Sequence, residues 1–193
     1  MQPICAGIVP AFLIAGLCIS SGSAEDWSTA EGSCFAKNAM LLQAGTGFLM
    51  DGGPIGVSAN FEYGFHDAIS GGGGLAFSGY HTDYSWGTFH YSTLFIAGRA
   101  CFHPFNLAVL ADKIPVRDKV DVYVGTSVGV IIYMSSFDNA PGFPDDPQID
   151  AQGTHAQIWG LVGARYYFSP QFAVYLEEGS GYGWLNGGIA FKF

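Results

Sequence analysis

Trp184-Leu185-Asn186-Gly187-Gly188-Ile189-Ala190-Phe191-Lys192-Phe193 is the stretch whose reading decides the fold. Leu185, Gly187, Ile189, Phe191 and Phe193 fall on one face, and Asn186, Gly188, Ala190 and Lys192 on the other. Period two with one apolar and one polar face is a half-buried strand. A soluble β-protein gains little by ending such a strand on Phe-Lys-Phe. A strand closing a transmembrane barrel does gain, because its outer face meets lipid and its end sits in an aromatic girdle.

The totals agree. Of 193 residues, 28 are glycine, 16% are aromatic and only 12% are charged. Soluble domains carry roughly 25% charged residues. Past the N-terminus no apolar run is long enough for a helical span. The length allows one domain. With 16 acids against 7 bases the formal charge is -9, which argues against nucleic-acid binding.

The first 24 residues have the form of a cleaved signal peptide. Ile8 to Ile19 is an apolar core, and Gly22-x-Ala24 suits cleavage before Glu25. Met1-Gln2-Pro3 departs from the pattern in having no Lys or Arg. Cys18 raises lipoprotein processing, but Leu17 before it is too large for that cleavage. Cleavage leaves Cys34 and Cys101, whose pairing spacing alone does not decide. Residues 25–37 read as a polar periplasmic lead-in and 38–193 as the barrel domain.

Eight alternating segments follow. The first runs from Met40 to Phe48; Asp51-Gly52-Gly53-Pro54 turns it into a second, in which Val57, Ala59, Phe61 and Tyr63 face out. The third spans Ile69 to Tyr80 and is glycine-rich, so a larger neighbour is expected to fill the lumen beside it. His81 to Trp86 reads as a loop, and Thr88 to Phe102 as the fourth strand. Pro104 to Arg117 is long for a periplasmic connection, and nothing in the sequence accounts for it. The fifth strand carries Val120, Val122, Val124, Thr126, Val128, Val130 and Ile132 as one outward stripe. Ser135 to Gly153 reads as a long acidic loop holding Asp138, Asp145, Asp146 and Asp150. His155 to Phe168, Phe172 to Glu177 and the tail complete the set. An even count puts both ends on one side, here the periplasm. The expected fold is therefore all-β: an eight-stranded antiparallel transmembrane up-and-down β-barrel.

Inward parity collects Glu62, Arg99, Asp121, Arg165, Glu177 and Lys192. Buried charges are costly unless paired, and eight strands leave an interior that side chains fill. The expectation is a cross-lumen ion-pair network that shuts the barrel; a narrow charged channel is the alternative. Glu178 falls on the outer face, where a carboxylate belongs near the headgroups or is turned inward by a bulge.

Several segments resemble small outer-membrane β-barrels of the porin-family, OmpA/OmpX-like type. They are Ile55 to Gly64, Gly98-Arg99-Ala100, Val120 to Gly125, Gly163 to Phe168 and the tail to Phe193. The resemblance implies insertion into the outer membrane of a diderm bacterium, among its lipids. It also implies an assembly machinery that reads the C-terminal strand, with Phe191 and Phe193 as the signal. It implies no single activity.

A non-enzymatic envelope barrel, structural or presenting its loops to an extracellular partner, is the leading reading. No cofactor or metal is expected: the aspartate spacing of the acidic loop is no calcium motif. Transport of an ion or small solute comes second, with Tyr123, Tyr133, Trp159 and Tyr175 as lumen lining. A lipid-modifying enzyme needs Ser, His and carboxylate within reach, and no nucleophile signature accompanies His66, His81, His90, His103 or His155. His81 and His90 are expected to approach each other near the outer rim. A soluble lipocalin-type barrel would require the apolar faces to point in.

Overall fold

The computed structural model describes residues 33–50, 53–107, 110, 113–139, 151–179, 181 and 183–193. Its strands are β1 (Met40–Met50), β2 (Gly53–His66), β3 (Ile69–Tyr84), β4 (Gly87–Phe102), β5 (Val120–Asn139), β6 (Ala151–Tyr167), β7 (Phe172–Glu178) and β8 (Leu185–Lys192). Each pairs antiparallel with its neighbours in sequence, and β8 returns to β1, so the sheet is a closed eight-stranded up-and-down barrel. Closure turns the pleat into an inside and an outside.

The alternation places apolar side chains outside. Val57 is 63% exposed and Ile158 73%, and Leu75, Val128, Val174, Leu176 and Ile189 also stand outward. Gln43, Ser58, Asn60, Glu62, Asp121, Arg165, Glu177 and Asn186 are buried inside. A lipocalin-type interior is the reverse of this arrangement, so the soluble runner-up is set aside.

The wall is uneven. β3, β4, β5 and β6 have 16, 16, 20 and 17 residues, whereas β7 and β8 have 7 and 8. The β6–β7 pairing begins only at Val162↔Glu178, so the upper part of β6 stands above β7. Two loops expected from the sequence are thereby corrected. Within 81–86, strand β3 continues to Tyr84 and pairs with β4 as far as Gly87, which leaves only Ser85 and Trp86 as the turn. Cross-strand hydroxyl and aromatic pairs carry it, and these residue types favour strands. Within Ser135 to Gly153, the residues to Asn139 and from Ala151 are strand. Asp145, Asp146 and Asp150 lie outside the described residues, as do the signal peptide and lead-in up to residue 32.

Along this projecting wall the polarity inverts. Ser78 is buried inside, so Tyr80 and Tyr84 share its side of β3; Thr93 is buried, so Phe89 and Tyr91 share its side of β4. Tyr133 and Phe137 do the same on β5, two and six residues beyond the buried Ile131. The outward positions at this height are His81, Asp83, Thr88, His90, Ser136 and Asp138. Apolar-out below and apolar-in above marks where the sheet leaves one surrounding for another.

The Pro104 to Arg117 connection, puzzling in the sequence, has a structural role. A 3-10 turn at Pro104–Asn106 follows the buried His103. Asn106 Nδ2 donates to Phe35 O (3.1 Å) and to Asp67 O (2.6 Å), and its amide oxygen accepts from Ser33 Oγ. Cys34 N donates to Arg117 O (3.1 Å), and the Phe35 ring stacks on the His103 imidazole at 3.8 Å. The connection and the segment before β1 together form a floor across the end of the barrel that carries both termini of the sheet.

Candidate functional site: a closed, ion-paired lumen

Five of the six ionisable residues placed inward by parity meet in one cluster. Arg165, on β6, donates from Nη2 to Glu62 Oε2 (2.6 Å) and from Nη1 to Asp121 Oδ2 (2.8 Å). Arg99, on β4, donates from Nη2 to Glu177 Oε2 (2.5 Å) and lies 3.8 Å from Glu62 Oε2 through Nε. All these charged side chains are fully enclosed. The Tyr123 hydroxyl donates to Glu177 (2.9 Å), and the Arg165 guanidinium lies over the Tyr123 ring at 4.1 Å. Five strands, β2, β4, β5, β6 and β7, thus hold each other across the lumen through charge-assisted bonds.

Lys192 is the exception. Its Nζ donates to Cys34 O (2.8 Å) and stands 5.1 Å from the centre of the Tyr167 ring, at the floor. As the last residue of β8, Lys192 sits below the cluster.

The missing cation is His103. Its Nδ1 lies 2.8 Å from Asp121 Oδ1 and its Nε2 2.9 Å from Ser70 Oγ, while Ser70 Oγ donates to Glu62 Oε1 (3.0 Å). Only the protonated ring satisfies every partner: both nitrogens donate, and the Ser70 hydroxyl is free to donate onward to Glu62. Burial disfavours that charge, but the Asp121 carboxylate and the hydrogen bonds to Asp121 and Glu62 outweigh it and hold His103 above its ordinary value. Three carboxylates then face two guanidiniums and one imidazolium. His103 lies one residue past the end of β4, where the strand reading stopped, although its position continues the inward parity of Arg99 and Cys101.

Ser70, His103 and Asp121 have the connectivity of a nucleophilic triad. The surroundings do not serve that chemistry. Ser70 is 1% exposed, its proton goes to Glu62, and Asp121 is also bound by Arg165. A nucleophile needs room for an acyl group beside it. Above the ion pairs, Ala76, Phe95, Ala97 and Ile131 form an apolar cluster against which Tyr133 and Trp159 pack. Below them, Phe35, Leu41, Tyr167, Tyr175 and Ala190 close the floor. Glycine makes room for this filling: a Cβ on Gly163 would enter the Tyr123 ring.

Of the remaining sequence candidates, His81 and His90 pair in register with ring centroids 6.1 Å apart. His90 Nε2 lies 3.1 Å from Asp138 Oδ2, the described member of the acidic loop set. Phe191 and Phe193 stack at 5.7 Å, and Phe172 adjoins Phe191 at 4.9 Å. Glu178 faces outward at the end of β7. Cys34 and Cys101 are both free and buried. Burial pushes the Cys34 thiol up to about 12.

No family model matches the chain, and no curated protein matches it. Among solved structures it is similar to Ail, the attachment invasion locus protein of Yersinia pestis, in complex with the heparin analogue sucrose octasulfate. Identity there is 13% over 80% of this chain and 96% of that one, with a TM-score of 0.47. The N-terminal β-barrel domain of Pseudomonas aeruginosa OprF is 18% identical over 81% and 98%, with a TM-score of 0.38. A de novo designed transmembrane β-barrel is 15% identical over 82% and 97%, with a TM-score of 0.40. These likenesses accompany the barrel topology and carry nothing about ligands or activity.

Proposed function

We propose that the chain is an integral outer-membrane barrel, shut by its ion-paired lumen, that presents the projecting β3–β6 wall to a partner outside the membrane. The observation that carries this reading is the double polarity of that wall. Its lower outer surface is an apolar band suited to lipid, around charges that only a closed interior supports. Higher up, the apolar side turns inward and the outward positions become polar, as water on the outside requires. Because β7 and β8 stop short, the aromatic inner face has no opposing wall of equal height. Tyr80 stacks on Tyr91 at 5.0 Å, Phe89 adjoins Phe137 at 4.5 Å, and Trp86 adjoins Phe137 at 4.9 Å. Tyr84 is 50% exposed and Trp86 39%. Exposed aromatic clusters of this kind mark interaction surfaces. Both ends of the sheet then lie on the periplasmic side, where the floor is.

Two measurements on one preparation test this. Refolded into vesicles, the protein should migrate at a shifted position on a gel until boiled. In planar bilayers it should pass no current above baseline. A soluble, unshifted protein would remove the membrane reading; steady conductance would replace the closed lumen with a narrow channel.

A further inference from the structure

We propose that the floor of the barrel holds the phosphate of a phospholipid from the periplasmic leaflet, an assignment that rests on the membrane reading above. A cavity of about 370 Å³ opens there, lined among others by Ser33, Lys119, Tyr167, Phe168 and Lys192. It lies where the beginning of β5 meets the ends of β6 and β8, and Tyr167 N donates to Lys119 O (2.7 Å) in continuation of the β5–β6 pairing.

Three features point to an anion with an apolar tail. Two ammonium groups, Lys119 and Lys192, line the cavity against one carboxylate, Asp118, in a chain whose formal charge is -9. Lys192 gives one proton to Cys34 O, and an ammonium has three. The second feature is the Tyr167 hydroxyl. Tyr167 is only 4% exposed, yet its oxygen has no hydrogen-bond partner among the described residues. A buried hydroxyl left unpaired is costly, and since Tyr167 lines the cavity, a ligand oxygen that reaches the hydroxyl from there would accept its proton. The third is the continuation of the cavity outward. Phe168, which lines it, is 62% exposed and stacks with Phe172 at 6.3 Å; Phe172 leads to Phe191 and Phe193. A polar pocket running into an aromatic row on the lipid-facing side matches a headgroup phosphate with acyl chains beside it. A free phosphate would use the pocket alone. Charge-assisted bonds from lysine supply the affinity, as in basic pockets that hold lipid headgroups elsewhere.

The test is native mass spectrometry of protein refolded in detergent and confirmed by its heat-shifted band. The probes are dioleoylphosphatidylglycerol, dioleoylglycerol and inorganic phosphate. The wild type should retain one phosphatidylglycerol and no dioleoylglycerol. Lys119→Gln combined with Tyr167→Phe should weaken retention by about 30-fold or more, as expected for losing a charged and a neutral hydrogen bond, while Lys113→Gln, outside the cavity, leaves it unchanged. Equal retention by the double variant, or of dioleoylglycerol, would overturn the proposal. Displacement of the lipid by an equal concentration of inorganic phosphate would overturn the lipid assignment in favour of a free anion. A protein with no heat-shifted band would overturn the membrane reading, and the proposal with it, a result distinct from a shifted barrel that fails to hold lipid.

Discussion

Arg165 of β6 and Glu62 of β2 meet across the full width of the lumen, Nη2 to Oε2 at 2.6 Å, with both side chains wholly enclosed. Arg165 also holds Asp121, so its loss strands two carboxylates at once. Removing one partner of a buried pair costs about 3–5 kcal/mol, largely because the survivor stays buried and unpaired. Arg165→Met should therefore lower the unfolding free energy in vesicles by about that amount, read by urea titration of tryptophan emission. Adding Glu62→Gln and Asp121→Asn should recover part of it, because the stranded charges go with their partner. A triple variant no better than Arg165→Met would mean that the cluster is held by something other than charge pairing.

His103 gives the same cluster a pH dependence. Its folded-state value is raised above the ordinary 6.5 by Asp121 and Glu62, against the effect of burial. A raised value means that the folded state binds the proton more tightly than the unfolded chain. The contribution is thus fully present below about pH 6.5 and is lost as pH rises through the higher folded value. Unfolding free energy measured from pH 5 to pH 9 should fall with rising pH in the wild type. In His103→Gln that slope should flatten. An unchanged slope in the variant would place the titration elsewhere.

The two thiols remaining after the expected cleavage should be silent in the folded protein. Cys34 is buried and its thiol is held protonated, at about 12, far above working pH; Cys101 is 3% exposed. Thiolate is the reactive form, and access is a second requirement. A maleimide at pH 7.5 should label neither residue in the refolded barrel and both in urea without any reductant. Labelling of neither in urea would reveal a disulfide, against the free thiols of the structure.

The strands and the inside-out lumen were legible because closure obeys period two: Glu62, Arg99, Asp121, Arg165 and Glu177 all fall on the parity that counts them inward. His103 was missed because the strand reading stopped one residue before it, at the end of β4. The floor was not legible. It belongs to non-periodic segments, where Phe35, His103 and Asn106 are brought together by contacts between distant parts of the chain. Lys192 was misplaced for another reason. Parity fixes a face but not a height, and at the last position of β8 its ammonium reaches the floor at Cys34 O. The projecting wall was obscured because its outward polar residues, His81, Asp83, His90 and Asp138, have the composition of loops. Their inward aromatic partners carry the opposite polarity phase to the strands below.

That inversion predicts two classes of aromatic along a single strand. Phe95 is 2% exposed and packs against Trp159 at 4.9 Å, whereas Phe89, six residues earlier on the same face of β4, is only half-buried among the rings of the wall. Truncating a fully packed Phe costs about 3–5 kcal/mol through lost burial and the cavity left behind. At the wall, substitution removes surface that faces an open side, and the closed barrel below does not depend on it. Phe95→Ala should accordingly lower the urea midpoint by the equivalent of about 3–5 kcal/mol. Phe89→Ser together with Trp86→Ser should change it by less than about 1 kcal/mol, in the range of surface substitutions, and leave the heat-shifted band in place. An apolar fluorescent dye bound by the wild type should be lost in the wall variant and retained in a barrel with the lipid-facing Val57→Ser. If the wall variant instead unfolds as readily as Phe95→Ala, the upper aromatics are part of the barrel core rather than a surface held out to a partner.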